Sequence, residues 1–427
     1  MLPARAQEKQ WSLQECISYA IEHSLTIKQQ EVSRDQQAIQ LNTSKWSRLP
    51  NLDGGASQSY GFGRGLTSDN TYANRNTQST SFSLSTNVPL FTGFQIPNTV
   101  AMNKLNLMAS IADLEKAKED ISVNVASQYV QVLYDKELLK VAQEQVTLAQ
   151  QQLDRVQSFY DNGKMSQMEL MQAKSTLEQN RLSTVQADNN CRLALLDLSQ
   201  LLELSSPEGF DIVVPQGEIG NEILSMPQEV FDMAVGQKPV IQAAQYRLEG
   251  AKKNIRIAQS GLYPSLYLSA GMGSSYYKTS GFEAESFSSQ LKNNFNQSIG
   301  LSLSIPIFNR FSTRNSIRSA RLQYLNYQWQ LDESKKTLFK EIQQAYYNAV
   351  AAQSKYNSSI TATEAGKSSF DLMNEKYAVG KATSTEYNES RTSYLKTVSD
   401  MLQAKYEYLF RYKVLEFYKG NALSFNR

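Results

Sequence analysis

The sequence predicts a mainly α-helical chain with a β-barrel part, built from one unit written twice. Three observations lead there. Short motifs recur in order at an offset of 214 to 217 residues. Two segments alternate apolar and small polar residues. Long segments between them carry a seven-residue apolar period.

The repeat is clearest at two turns. SFYDNGKMSQMEL (158–170) and EKYAVGKATSTEY (375–387) each place a Tyr three residues before a Gly-Lys pair and a Glu six residues after the Gly, 380 − 163 = 217 residues apart. Upstream, ECISYAIEHSLTIKQQ (15–30) aligns with EVFDMAVGQKPVIQAAQ (229–245), with Ala20 on Ala234 and an offset of 214. Pro50 falls on Pro264 at 214, and Pro89 on Pro306 at 217. Self-similarity of this kind marks a duplicated structural unit. The expected division is 1–212 and 213–427, each half running helix, two strands, long helix, tip, return helix.

The strands follow from period two. In Ser298–Phe308, Ile299, Leu301, Leu303, Ile305 and Ile307 alternate with Ser and Gly; in Ser81–Phe91, Phe82, Leu84, Thr86, Val88 and Leu90 alternate with Ser and Asn. That gives one apolar and one small polar face. The preceding strands, about 51–63 and 264–277, are weaker and rich in Gly, Ser and Tyr, so the hairpins span about 51–90 and 264–307. The loops between, 64–76 and about 278–294, read as long and polar. Strands of this kind fit an outer-membrane barrel; two soluble hairpins packed as a sandwich are the alternative.

The helices follow from period seven. Val125, Val132, Leu139, Val146, Leu153 and Tyr160 form a seam, joined by Ala142, Ala149 and Val156. Adding 217 gives Ile342, Ala349, Tyr356, Thr363, Phe370 and Tyr377, with Ser359, Gly366 and Met373, a smaller and more polar seam. This is heptad packing, which a plain coiled coil would also show. The long helices run about 101–160 and 315–377, and the return helices about 166–202 and 383–419. A helix of 60 residues is roughly 90 Å long, and the return helix is too short to match it. The helix before each hairpin supplies the difference if it stacks end to end on the return helix.

Composition narrows the partners. The 427 residues carry 43 Lys+Arg against 41 Asp+Glu, a formal +2, with no basic block to suggest nucleic acid. Mean hydropathy is −0.46 and no apolar run reaches 18 residues, so no transmembrane helix is expected. Ala4-Arg5-Ala6 before Gln7 has the small-x-small form of a signal-peptide cleavage site. Cys16 and Cys191 have neither metal-site nor redox spacing and read as buried free thiols; Cys16 lies too deep for lipid attachment. The single His23, and the lack of any nucleophile, phosphate-loop or metal-ligand motif, argue against an enzyme and against a cofactor.

Four strands cannot close a barrel, and an open sheet edge cannot sit in lipid. The chain must therefore oligomerise: two copies supply 8 strands and three supply 12, and these arguments do not choose between them.

With the duplicated plan, the strand–Pro pairs Val88-Pro89-Leu90-Phe91 and Ile305-Pro306-Ile307-Phe308, and the paired tips in place, nearly the whole chain resembles the TolC-like outer-membrane efflux proteins. The resemblance implies a homotrimer with a 12-stranded β-barrel in the outer membrane of a Gram-negative bacterium. It also implies an α-helical barrel crossing the periplasm, and an equatorial belt from about 8–24, 203–235 and the C-terminal end. The function implied is a passive export duct of a tripartite efflux or type I secretion system. Its partners would be a periplasmic adaptor protein, an inner-membrane transporter of RND or ABC type, and outer-membrane lipid. A periplasmic structural coiled-coil or adaptor protein is the rival, and the five apolar residues of 299–307 discriminate, because a soluble hairpin would have to cover them.

Carried over residue by residue, the resemblance implies a periplasmic constriction at Glu386 and Glu389, both Glu where well-known members have Asp. Three copies would form an anionic ring that selects cations and raises carboxylate pKa values. A gate link would join Tyr377 to Glu169. The family's Arg lock two residues past the Gly is replaced by Ala382, with Lys381 beside it as a substitute. Gly163, Lys164, Met165, Gly380, Lys381 and Ala382 would form the adaptor-docking tips. Cargo selection would lie with the transporter, and no Met-rich motif points to copper or silver.

Overall fold

A computed structural model describes residues 10–66, 69–215 and 223–424. The Ala4-Arg5-Ala6 signal site lies outside the described residues. In chain order the elements are β1 (Gln10–Trp11), α1 (Leu13–His23), α2 (Leu25–Trp46), β2 (Asp53–Leu66), β3 (Tyr72–Thr92), α3 (Gln95–Asp161), α4 (Gln167–Leu201) and β4 (Asp211–Ile212). They continue with α5 (Pro227–Gln237), α6 (Pro239–Ser260), β5 (Ser265–Thr279), α7 (Phe287–Asn293), β6 (Asn296–Ser304), α8 (Ser312–Ala378) and α9 (Ser384–Tyr418).

The duplication holds to the residue. α1 and α5 have 11 residues each and α2 and α6 have 22, at an offset of 239 − 25 = 214. α3 and α8 have 67 each and α4 and α9 have 35, at an offset of 312 − 95 = 217. Even the strand-to-helix turns match. Gly93-Phe94 and Arg310-Phe311 all have positive φ, and each Phe meets the one three residues before it edge to face, Phe91 at 5.3 Å and Phe308 at 5.5 Å.

The chain divides into two compact units, each drawing on both repeats. One holds residues 33–110 and 243–331. Its centre is a four-stranded antiparallel sheet, order β2-β3-β5-β6, in which the β3–β5 pairing joins the repeats. β2 and β6 are the sheet edges. Ile299, Leu301 and Leu303 on β6 are 77%, 68% and 61% exposed, so the apolar face that a sandwich would bury is open. Three details differ from expectation. β2 and β3 extend to Leu66 and from Tyr72, shortening the first loop, because backbone pairing continues from Phe62↔Asn76 to Leu66↔Tyr72 through polar residues. β6 stops at Ser304, leaving Ile305–Phe308 outside it; Pro306 has no N–H for a ladder. The second loop contains α7. There the Gln290 side chain accepts from Tyr277 N–H (2.9 Å) and donates to Tyr277 C=O (3.1 Å), standing in for a strand beyond Gly273, where β6 has not yet begun.

The other unit holds residues 1–32, 111–242 and 332–427. Its core gathers Leu13, Ile17 and Ala20 of α1, Val125, Tyr129, Val132 and Leu133 of α3, and Leu198 of α4 around the parallel β1–β4 pair. The Tyr129 hydroxyl donates to the Val213 carbonyl at 2.6 Å. In each repeat the start of the helix before the hairpin meets the end of the return helix. Leu25 N–H at the start of α2 donates to Glu203, just past α4, at 3.5 Å. Lys238, before α6, donates to Phe417 C=O of α9 at 3.3 Å and pairs with Glu119 at 3.1 Å. Cys16 and Cys191 are buried free thiols.

Candidate functional site

The two tips are the same local device. α3 ends with Gly163 at φ +71° and α8 with Gly380 at φ +73°. Gly163 N–H donates to Tyr160 C=O (2.8 Å) and Lys164 N–H to Phe159 C=O (2.8 Å). Gly380 and Lys381 repeat this with Tyr377 (3.1 Å) and Lys376 (2.8 Å). These are Schellman caps, which need a left-handed residue. Three residues on, Ser166 and Thr383 cap α4 and α9, and the Glu at the third helical position closes a capping box in each. The Glu169 carboxylate accepts from Ser166 N–H (2.8 Å) and Oγ (3.0 Å); Glu386 accepts from Thr383 N–H (2.8 Å) and Oγ1 (2.9 Å). A carboxylate six residues past the Gly is thus what the turn itself requires.

The cap has an electrostatic consequence. The Thr383 backbone and side-chain hydrogen bonds hold Glu386 below the usual carboxylate range. Within one chain Glu386 therefore moves opposite to the rise expected of a crowded ring, because donors rather than other carboxylates surround it. Glu389 instead lines a groove between the starts of α4 and α9, together with Met168, Glu169 and Asn388.

Above the tips α3, α4, α8 and α9 enclose a cavity of about 280 Å³ lined by Arg155, Glu169, Tyr377, Tyr387, Asn388 and Arg391, among others. Tyr377 and Glu169 thus face one space. Burial pushes the Tyr377 hydroxyl up, and the Glu169 charge adds to it. Tyr377 stacks on Tyr387 (4.9 Å), and Phe370 lies 5.6 Å from Tyr387 and 5.7 Å from Tyr394. Ala382 and Lys381 make no cross-helix bond among those described; Arg155 of α3 donates to Ala378 C=O at the end of α8 (3.2 Å). Arg391 is the residue that pattern reading missed. It donates through Nε (3.0 Å) and Nη2 (2.7 Å) to Gln145 Oε1 on α3. Its signal was a charge inside the stripe Tyr387, Arg391, Tyr394, Val398, Leu402, spaced as one helix face.

Comparison with known proteins decides the family. The profile described as "Outer membrane efflux protein" matches residues 16–203 and 230–421. The chain belongs to the outer membrane efflux protein family. As a member it is an outer-membrane efflux channel extending into the periplasm, a transport protein and not an enzyme. Outer membrane protein TolC of Escherichia coli K12 is 24% identical to this efflux protein over 391 residues, covering 90% of this chain and 77% of TolC. In fold it is similar to the crystal structure of CusC, with a TM-score of 0.78, 17% identity, and coverage of 98% and 96% of the two chains. The open-state MtrE channel of Neisseria gonorrhoeae gives 0.76, 18% identity, and coverage of 100% and 94%.

Proposed function

We propose that three copies of the chain close a 3 × 4 = 12-stranded barrel and a helical duct. Cargo would be passed to it by a periplasmic adaptor and an inner-membrane transporter of RND or ABC type. The supporting observation is the sheet of one chain: among the described residues both edges lack a partner strand, and the apolar residues of β6 are exposed. Edges left open in lipid are untenable, so copies must pair β2 with β6. The chain reaches the outer membrane through a cleaved signal peptide. The helical tips form the periplasmic end. Glu386 and Glu389 of three copies ring the constriction, Tyr377 and Glu169 link the hairpins, and the adaptor docks on Gly163, Lys164, Met165, Gly380, Lys381 and Ala382. Passage is passive, and the transporter selects the cargo.

Single-channel recording of the purified protein in a planar bilayer, with ion selectivity, tests this reading. A small cation-selective conductance is expected, with weaker selectivity after Glu386→Ala and Glu389→Ala together. Unchanged selectivity in that double variant would remove the glutamates from the constriction.

A further inference from the structure

The two hairpins are held together by different physics near their tips. Between residues 136 and 184 the first hairpin buries Ala149, Val156, Leu170 and Leu177. Over the equivalent residues 353–401 the second buries one side chain, and it is charged: Arg391, 7% exposed. A buried cation is costly without good hydrogen bonds. Arg391 finds its acceptor on the other repeat, two donors converging on Gln145 Oε1. Among the described residues the first repeat shows no equivalent bond. Arg391 corresponds to Lys174, which is exposed, and Gln145 to Ala362, which has no acceptor side chain.

We propose that Arg391 is the positioning residue that clamps the second hairpin to α3, so that the Arg391–Gln145 bond sets how readily the periplasmic end opens. This rests on the tips being that end. With an apolar contact there, α9 could slide on α3 at little cost. A guanidinium that must keep one acceptor or stand unpaired gives two discrete arrangements instead. The acceptor is neutral, so the clamp itself has no carboxylate to titrate. The titratable groups around it are Tyr387 on its own helix, Tyr377 on α8, Glu169 on α4 and Arg155 on α3.

The test uses the purified full-length oligomer. Conductance in planar bilayers is read beside hydrogen–deuterium exchange of residues 384–400, for wild type, Arg391→Ser, Gln145→Ala and Gln145→Glu. Losing a charge-assisted bond should shift the open-to-closed ratio by roughly ten-fold per chain. Arg391→Ser and Gln145→Ala should therefore raise both conductance and exchange, and combining them should add little. Gln145→Glu should do the reverse at neutral pH, because it creates an ion pair. Its introduced carboxylate, depressed by the guanidinium, keeps the pair above its own lowered pKa. Closure should then be lost as pH falls through that value, a titration added to that of wild type and absent from Gln145→Ala, which a purely structural role would not produce. If Arg391→Ser merely prevents assembly, Gln145→Glu still decides. Wild-type current with no change in Gln145→Ala or Gln145→Glu overturns the clamp and leaves the channel standing. Faster exchange with unchanged current overturns the gating role. No current from wild type or any variant overturns the channel reading, and the clamp as a gate element falls with it.

Discussion

Gly366 on α8 is where two opposing effects can be weighed. A Cβ there would lie 3.1 Å from Thr397 Oγ1, 3.7 Å from Thr397 Cγ2 and 3.7 Å from Tyr394 Cα on α9. Replacing a mid-helix Gly by Ala gains about 1 kcal/mol of helix propensity. Overpacking a close crossing costs about 1–3 kcal/mol. The sign depends on whether Thr397 can yield. Its hydroxyl donates to Tyr394 C=O at 2.7 Å, a weak back-bond that a rotation gives up, but its own C=O accepts from Thr363 Oγ1 at 2.9 Å, which fixes the backbone. The side chain can move by tenths of an ångström and the backbone cannot. Gly366→Ala should therefore come out near zero. Gly366→Val, whose branch points into fixed backbone, should cost about 2–3 kcal/mol. Adding Gly366→Ala to a Thr397→Ala background removes the obstruction and should recover the full gain of about 1 kcal/mol. The assay is the rate of thermal dissociation of the oligomer in detergent, since a membrane protein of this kind is judged by its unfolding barrier. If the double variant is no more stable than Thr397→Ala alone, the contact at Thr397 is not what opposes a side chain at 366.

At the tips, a Cβ on Gly380 meets nothing within 4 Å, so only φ matters. Gly380→Asn should be nearly neutral while Gly380→Ala costs about 1–2 kcal/mol, read as faster proteolysis of the tip. Thr383→Ala removes the α9 cap and should cost about 1 kcal/mol, seen as faster amide exchange at residues 384–387. Glu386, with its pKa lowered by the cap, supports α9 fully above the ordinary carboxylate range. That support is lost as pH falls through its depressed value, so exchange at the start of α9 should rise only as pH falls below the ordinary carboxylate range. On the sheet, Leu301→Lys should cost about 2–4 kcal/mol if the residue sits at mid-bilayer, measured by urea midpoint after refolding into lipid. A soluble-like tolerance there would count against the lipid face.

The architecture was legible because it rests on periodicities, and periodicities survive in a single sequence. Seven-residue spacing located α3 and α8, alternation located β3 and β6, and the constant offset tied the halves together. What escaped depends on single groups. Pro306 ends β6 while Pro89 sits inside β3 at a register shift, because β3 can bulge there and continue to Thr92. α7 has only 7 residues, too few for a periodic signal. Glu169 and Glu386 were visible as acids at a fixed distance from a glycine. That spacing serves a cap as readily as a constriction, and the hydrogen bonds of the folded turn place both carboxylates on their caps. Arg391 was hidden because a lone charge in an apolar stripe reads as an interruption until its acceptor, 246 residues away, is brought beside it.

A duplicated chain begins with two hairpins of equal length and register, and these two still have both. Their seams have not stayed equal. Where the first uses Val146 and Ala149, the second has Thr363 and Gly366; where the first has exposed Lys174, the second has buried Arg391. Apolar burial is non-directional and resists any separation of the helices. Hydrogen bonds and stacked rings hold only at particular geometries, and each breaks over a short displacement. In the duct proposed above, the second hairpin is therefore the one whose contacts can be exchanged for another set, and the first is the one that holds. On that proposal, equal backbones with unequal seams assign holding to one hairpin of each chain and movement to the other.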